Sequence, residues 1–516
     1  AVGYHAGLSV TTGVQNVLIG GLAGDALTDA DYNVAVGIEA LSADTLGSGS
    51  TAIGRNALST QNFTTATTTY NTAVGDRAGL AVTTGTLNTL IGGLAGDAIN
   101  TGTHNTVVGY SAATAMNTGV ENTIMGAIAG AALTDADYNV ALGVQALVAD
   151  TKGSKSVAIG NQTLYTQNFT SSTDAFNVAV GFQAGKAVTT GLSNTLIGAL
   201  AGDSVTTGDD NVSLGYSSLR SNTASNGNVA VGASALYSLN LTGDSSYTGN
   251  TAVGYSSGLF LTTGNSSTFI GSRAGQGITG AKLTGSENTA IGNNAGLLLQ
   301  GAAAANTLVG AVSGDAITTG GGNTVIGSNA GSTLNTGSTN TYIGRSSADG
   351  ATTGGSNVCL GYEAGKGQFS TSSNQLYIAR SNTGAGNAAT WIYGNSDGAL
   401  IQGNNSTAWS QTSDRRIKKN ITNSSKGLAD VNNLKIRNFE YKTLEEAESG
   451  EEGLSYVDKA GVQTGVIAQE IQSVFPNSVK AHEINGTLTV VADELNWAAL
   501  KAIQELSTAL DAALAR

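Results

Sequence analysis

Asn250-Thr251-Ala252-Val253-Gly254 is one copy of a five-residue phrase that recurs with small changes from the start of the chain to residue 361. Its glycine returns at twenty-one positions, from Gly3, Gly20 and Gly37 to Gly327, Gly344 and Gly361. Of the twenty intervals, fifteen are 17 residues, one is 18 and four are 21 or 22. A fixed period of this length marks a solenoid, in which each repeat is one coil stacked on the last. Three residues before each glycine stands Thr or Val, and one residue before it an aliphatic side chain such as Ile19, Val36, Met125 or Leu214. Residues two apart share one face of a strand, and β-branched side chains suit that conformation. The residue between them is mostly apolar too, as in Ala35, Leu90, Ile124, Phe269 and Cys359. A strand apolar on both faces is buried on both. One face can fill the coil; the other needs a neighbour, so chains packed side by side are expected.

The glycine permits a turn that a Cβ would obstruct. Three residues after it comes Ala, Ser or Thr every time (Ala23, Ala57, Thr163, Ser313), which suits a tight space. Four residues before it stands Asn in seventeen of twenty repeats, with Ser50, Ser156 and Ser267 in the others. Asn and Ser bond nearby backbone at turns, and in register they can form a ladder from coil to coil. Many coils carry a second turn, such as Thr83-Thr84-Gly85 or Asn117-Thr118-Gly119. The expected coil is therefore strand, turn, strand, turn. Twenty-one coils at ~4.8 Å each give a rod of roughly 100 Å.

Composition agrees. The chain has 72 glycines in 516 residues, a single proline (Pro476) and 5% aromatics, which excludes collagen and leaves too few rings for an ordinary globular core. Net charge is −13. The first 412 residues hold 11 basic and 21 acidic groups and the last 104 hold 12 and 15, so both parts are acidic. Nucleic acid is not expected as a partner. A lone cysteine, Cys359, rules out a disulfide framework and reads as a buried thiol. No signal peptide or membrane-spanning run stands in the sequence, so no membrane insertion is expected. The chain opens at Ala1-Val2-Gly3, in mid-repeat, and reads as a fragment.

The chain divides into three regions: a repetitive β-solenoid over 1–365, a β-rich neck over 366–412 and a charged, helical segment over 413–516. Within the first, Leu27-Thr28-Asp29-Ala30-Asp31-Tyr32-Asn33 returns as Leu133-Thr134-Asp135-Ala136-Asp137-Tyr138-Asn139, 106 residues on, with its whole six-coil block. The longer intervals imply inserted loops at 61–70, 167–176, 238–249 and 277–287, leaving the coil on its outside. Phe63, Tyr70, Phe169, Phe176 and Tyr247 place rings there. They are the receptor-binding candidates, with packing back over a coil as the plain alternative. In the neck, 375–379 and 390–394 read as strands. The last stretch, Asp493 to Arg516, carries Ile503, Leu506, Leu510 and Ala513 at coiled-coil spacing, though it is too short to hold alone.

Ser413-Asp414-Arg415-Arg416-Ile417-Lys418-Lys419-Asn420-Ile421 resembles the opening signature of the intramolecular chaperone domain of phage tail fibres and tailspikes, the S74 peptidase family of endosialidases. Gly465-Val466-Ile467-Ala468-Gln469-Glu470-Ile471, then Pro476 and a terminal helix, resemble the same family in the same order. The resemblance implies a domain that trimerises, assists folding of a β-rich fibre and then severs the chain before the motif's serine. Carried over, the nucleophile is Ser413, the base Lys418, the cut bond Thr412–Ser413, and Asp414 and Arg416 are supporting motif residues. Such a base needs a lysine whose ammonium is destabilised, so that its neutral amine can accept the hydroxyl proton. The repeats are also similar in style to the heads of trimeric autotransporter adhesins, with a longer period.

Together these imply the distal part of a phage tail fibre, assembled in the host cytoplasm and carried in the virion. Its partners would be two further copies, other tail proteins through a preceding segment, and a host glycan or outer-membrane protein. Self-cleavage is the one reaction expected. His5, His104 and His482 lack metal spacing, no glycine loop is followed by Lys-Ser/Thr, and Asp209-Asp210 stands alone as an acidic pair, so no cofactor or metal is expected. The rivals are a bacterial trimeric adhesin, a capsule-degrading tailspike and an ice-binding solenoid. The adhesin would need a C-terminal anchor of amphipathic strands, and the ice-binder flat outward ranks of Thr. Here the Thr ranks alternate with Val and read as buried.

Overall fold

The computed structural model describes residues 1–240, 247–368, 370–380, 390–394, 400–402, 415, 418–442, 460–481 and 488–516. It divides into two compact units, Ala1–Trp409 and Ser410–Arg516.

The first unit is a β-solenoid of about 21 coils with a repeat of ~17 residues. Each phrase forms a three-residue strand, and from Val17–Ile19 to Val358–Leu360 successive strands pair parallel with matching residues opposite one another. In each strand the middle side chain points inward: Ala73, Leu90, Val107 and Ile124 are fully buried, while the Thr or Val and the aliphatic residue around them face out. The recurring glycine sits where coils stack most closely. A Cβ on Gly92, at φ +134°, would stand 2.5 Å from the carbonyl oxygen of Gly109. No side chain fits there.

Core volume is balanced within the coil. Four residues after the glycine the backbone is left-handed and points inward. That position is Leu in six coils (Leu41, Leu58, Leu147, Leu164, Leu219, Leu236), and in each the middle strand residue is Ala or Ser. Where the middle residue is Leu18, Leu90 or Phe269, the position is glycine, because a Cβ there would meet that side chain at 3.0 Å or less. Two large groups cannot share one narrow coil. In one coil the interior turns polar, with Ser213 and Ser218 bonding each other at 2.6 Å.

The asparagine ladder is present and buried. The side-chain oxygen of Asn88 accepts from the backbone N–H of Asn105 (3.0 Å), and the amide of Asn105 donates to Gly119 O (2.7 Å). The same pair of bonds runs on through Asn122 and Asn139.

Two expectations need correcting. A second strand per coil is not general: among the described residues it forms only as Gly47–Ser48 with Thr67–Thr68 and Gly153–Ser154 with Thr173–Asp174. Elsewhere the return path is stacked turns, because left-handed residues recur two and four positions after each glycine and break any extended run. Those turns are still tied coil to coil, for example Gly24 N–H to Ala40 O and Thr28 N–H to Thr45 O. The Thr ranks, read as buried, face outward; Thr51, Thr72, Thr89, Thr106 and Thr123 are half-buried on the open face. The inward place is taken by the residue between the ranks.

Beyond the last full coil, Leu376–Ala379 adds one more parallel rung, after which Thr390–Gly394 and Leu400–Gln402 continue antiparallel. The second unit holds short helices α1 (Leu428–Val431) and α2 (Ala468–Ile471), two strand pairs, and the long helix α3 (Asp493–Leu514). No helix among the described residues is long and apolar enough to cross a membrane.

Candidate functional site

The stretch 413–421, where self-cleavage is expected, opens the second unit. Thr412, Ser413, Asp414 and Arg416 lie outside the described residues, as does His482. Lys418 is described and exposed, and its backbone N–H donates to Arg415 O (3.3 Å).

The chain just after the motif is tied to α3. The backbone N–H of Leu428, the first residue of α1, donates to the Glu505 carboxylate at 2.7 Å. A Cβ on Gly427 would fall 2.6 Å from that carboxylate, so a larger residue there would push the Glu505 side chain aside. Lys501 on α3 donates to Ser424 O. Lys426 bonds Asp430 (3.2 Å) and Val474 O, and lies 5.3 Å over the ring of Phe475, which is fully buried. Arg437 grips Glu470 with two bonds of 2.8 and 3.0 Å, holding that carboxyl below its usual range. The segment 424–442 is therefore fastened to α2, to the turn at Pro476 and to α3 by groups far apart in sequence.

The outer face of α3 is left open. Trp497, Leu500, Ile503, Leu506, Leu510 and Leu514 are each more than half exposed, at the spacing of a coiled-coil seam. Along the solenoid the outward strand columns are open too. Val17, Ile19, Ile53, Ile91, Met125 and Leu214 are all exposed, and no charged residue occurs in either column.

The receptor candidates separate into two kinds. Phe63 and Phe169 are each 7% exposed, packed beneath their loops. The reason is a buried carboxylate: Asp44 accepts from the backbone N–H groups of Gly47 and Phe63 and from the Gln61 amide, and Asp150 repeats the arrangement with Gly153, Phe169 and Gln167. Those bonds pull each Phe inward, so these two rings offer no surface to a receptor. Tyr70, Phe176 and Tyr247 are exposed at 64%, 53% and 70%. Tyr70 and Phe176 stand at the coil's regular left-handed corner, five residues before the glycine, not out on a loop. Tyr32, His104 and Tyr138 occupy the same corner in other coils, which the reading of Tyr70 and Phe176 as loop residues missed. Equal offset from the glycine was the signal that could have found them.

Cys359 is buried, and burial pushes its thiol pKa far up, so it is no nucleophile. The described residues contain no group of His, Cys, Asp and Glu able to hold a metal.

No curated protein and no solved structure matches the chain. Residues 413–480, which hold the motif and the clamped segment after it, match the model of the peptidase S74 family, the chaperone of endosialidase.

Proposed function

We propose that this chain is part of a phage tail fibre: a homotrimeric β-solenoid that attaches to the host surface, assembled by a C-terminal chaperone that then cuts itself off. The match at 413–480 supports the chaperone, since domains of this kind are associated with trimeric phage tail proteins. The observation that carries the trimer is the charge-free outward face of the strands, continued in kind by the open seam of α3. Apolar surface of that length is unfavourable in water and is covered when copies pack side by side. In the cut, the Ser413 hydroxyl attacks the Thr412 carbonyl as Lys418 takes its proton, and the Thr412–Ser413 C–N bond breaks as that proton passes to the Ser413 amine. Water then hydrolyses the resulting ester, leaving a carboxylate on Thr412 and releasing residues 413–516 with the Ser413 hydroxyl restored.

The mass of the purified product tests this. Cleavage gives a fragment ending at Thr412. Ser413→Ala and Lys418→Ala are expected to give folded, uncut, full-length trimers. A cut at the same bond in Ser413→Ala removes that nucleophile from the mechanism, and a folded monomer by native mass removes the trimer.

One observation favours a second reading. The outward Thr rank runs unbroken from Thr51 to Thr123 and again from Thr251 to Thr341, as an ice-binding face requires. The rank breaks to Val at 140, 157 and 178, and the columns beside it are aliphatic. Thermal hysteresis in a solution of the purified protein would establish ice binding; its absence leaves the fibre.

A further inference from the structure

The coil repeats every ~17 residues, but between the third and thirteenth coils columns of its outward surface repeat every two coils. Counting from the coil of Gly3, the corner five residues before the glycine carries Tyr32, Tyr70, His104, Tyr138 and Phe176 in the third, fifth, seventh, ninth and eleventh coils. All five are exposed. The coils between carry Gly49, Leu87, Glu121 and Lys155 there. On the other border, just after the glycine, the seventh to thirteenth odd coils carry Tyr110, Val144, Phe182 and Tyr216, exposed at 46–61%. The even coils carry Gly93, Ala127, Asn161 and Ala199. The column just before the glycine alternates in the opposite sense. Ile53, Ile91, Met125 and Ile159 of the even coils are exposed at 36–39%, whereas Val74, Val108, Leu142 and Val180 of the odd ones are half-buried. From the sixth to the eleventh coil three columns thus share one two-coil rhythm, which neither the coil core nor the strand ladder requires; it ends where Ile197 is half-buried and Leu214 exposed.

This surface is too large to stand open. Seven residues wide and some twenty coils long, it covers on the order of 2,000 Å² per copy, against the ~800 Å² per partner of a stable interface. Its middle columns carry no charge and suit a partner with the same ~4.8 Å rise, which is a parallel second copy. In a cyclic trimer the border after the glycine on one copy meets the border before the strand on the next. In register, His104 then lies level with Tyr110, and Phe176 with Phe182. A slip of one coil sets His104, Tyr138 and Phe176 beside Gly93, Ala127, Asn161 or Ala199, and sets Tyr110 and Phe182 beside Leu87, Glu121, Lys155 or Ser193. Ring-to-ring contacts then give way to small, polar or charged neighbours at all but Leu87.

Resting on the trimeric reading, we infer that the two-coil alternation is a register key between copies, which rejects slips by one coil and tolerates only slips by two.

Two versions of the full chain, each with one added cysteine, Val180→Cys and Ile197→Cys, co-expressed and oxidised so that disulfides form only across a Cα separation of about 4.4–6.8 Å, read the register. Cys359 is buried and does not compete. Same-position products report alignment, and the 180–197 product reports a one-coil slip. With native rings the slip product is expected to be at least ten-fold rarer than same-position products. With Tyr110, Tyr138, Phe176 and Phe182 changed to Ala it is expected to rise at least three-fold in what native mass still shows to be a trimer. An unchanged ratio in that trimer overturns the key and leaves the trimer standing; a monomer overturns both. As a check free of the Ala variants, Tyr138→Cys is expected to react with maleimide at least ten-fold more slowly in the assembled protein than in the unfolded chain. Equal rates place the ring column in solvent and overturn the key.

Discussion

The outward face of the solenoid and the outward stripe of α3 have the same composition problem and opposite information content. Both leave Ile, Leu and Val open in a single copy. The solenoid face is built from one phrase repeated some twenty times, so almost any parallel pairing of copies looks locally correct. The stripe of α3 carries Trp497, Leu500, Ile503 and Leu506 once each, beside side chains that clamp a non-repetitive segment through Glu505 and Lys501. Repetition makes a coil easy to stack and hard to align. Unique sequence aligns three chains but is too short to make a fibre. On the proposed function, the second unit would align the chains, and the two-coil alternation of the rings would hold the alignment as the solenoid forms.

Breaking the comparison outright should have the largest effect. A chain synthesised without residues 413–516 is expected to give aggregates, because twenty apolar strands are exposed before any alignment exists. Soluble, trimeric solenoid by native mass from that shortened chain would remove the chaperone role.

Next in size is the interface itself. Ile91 is 39% exposed and points away from the coil interior, so Ile91→Glu should leave each coil able to form. In an assembled trimer it would bring three carboxylates together out of water. Loss of trimer in light scattering, with β-rich circular dichroism retained, is the expected result. A trimer of normal stability would show that this face is not the interface.

Inside the coil the effect should be smaller and independent of assembly. Asn105→Ala leaves the backbone N–H of Asn122 and the carbonyl of Gly119 without their side-chain partners, both in the buried ladder. Unpaired buried groups of this kind cost about 1–3 kcal/mol each. Hydrogen exchange should show the loss first in the coils on either side, since each coil contacts only its neighbours.

Much of this was legible. The glycine spacing gave coil length and number, the Asn column gave the ladder, and the charged tail marked the second unit. What was not legible depended on φ. Leu41, Leu58 and Leu147 look like strand or helix formers, yet each sits in the left-handed region with its side chain in the core, converting the expected second strand into turns. The Thr and Val ranks were right as a face but were assigned to the wrong side. Periodicity of two tells which residues share a face, not which face is inside. The loop rings divided for a similar reason. Phe63 is drawn in by bonds to Asp44, a residue nineteen positions away whose role no local pattern announces.

The smallest effect concerns carboxylates that the coils bury without full pairing. Asp97, Asp203 and Asp315 follow an Ala-Gly or Ser-Gly pair at the same place in three coils, and in each one side-chain oxygen is buried with no hydrogen-bond partner. Burial raises the pKa of all three above the ordinary carboxylate value; Arg220 beside Asp203, 3.4 Å away, offsets part of that rise. A folded-state pKa above the unfolded one means that the native protein holds the proton to higher pH. Each group therefore costs stability above its folded pKa, and the cost is relieved as pH falls through the window between the folded and unfolded values. Asp97→Asn and Asp315→Asn remove the ionised form and should raise stability at pH 7 by below about 1 kcal/mol each. The gain should shrink toward zero as pH drops into the ordinary carboxylate range. Asp203→Asn should gain less, because it also loses its attraction to Arg220. Thermal melts of the four proteins at pH 7 and pH 4 decide the point. A gain equal at both pH values would mean that packing or amide hydrogen bonding, not desolvation of charge, stabilises the variants.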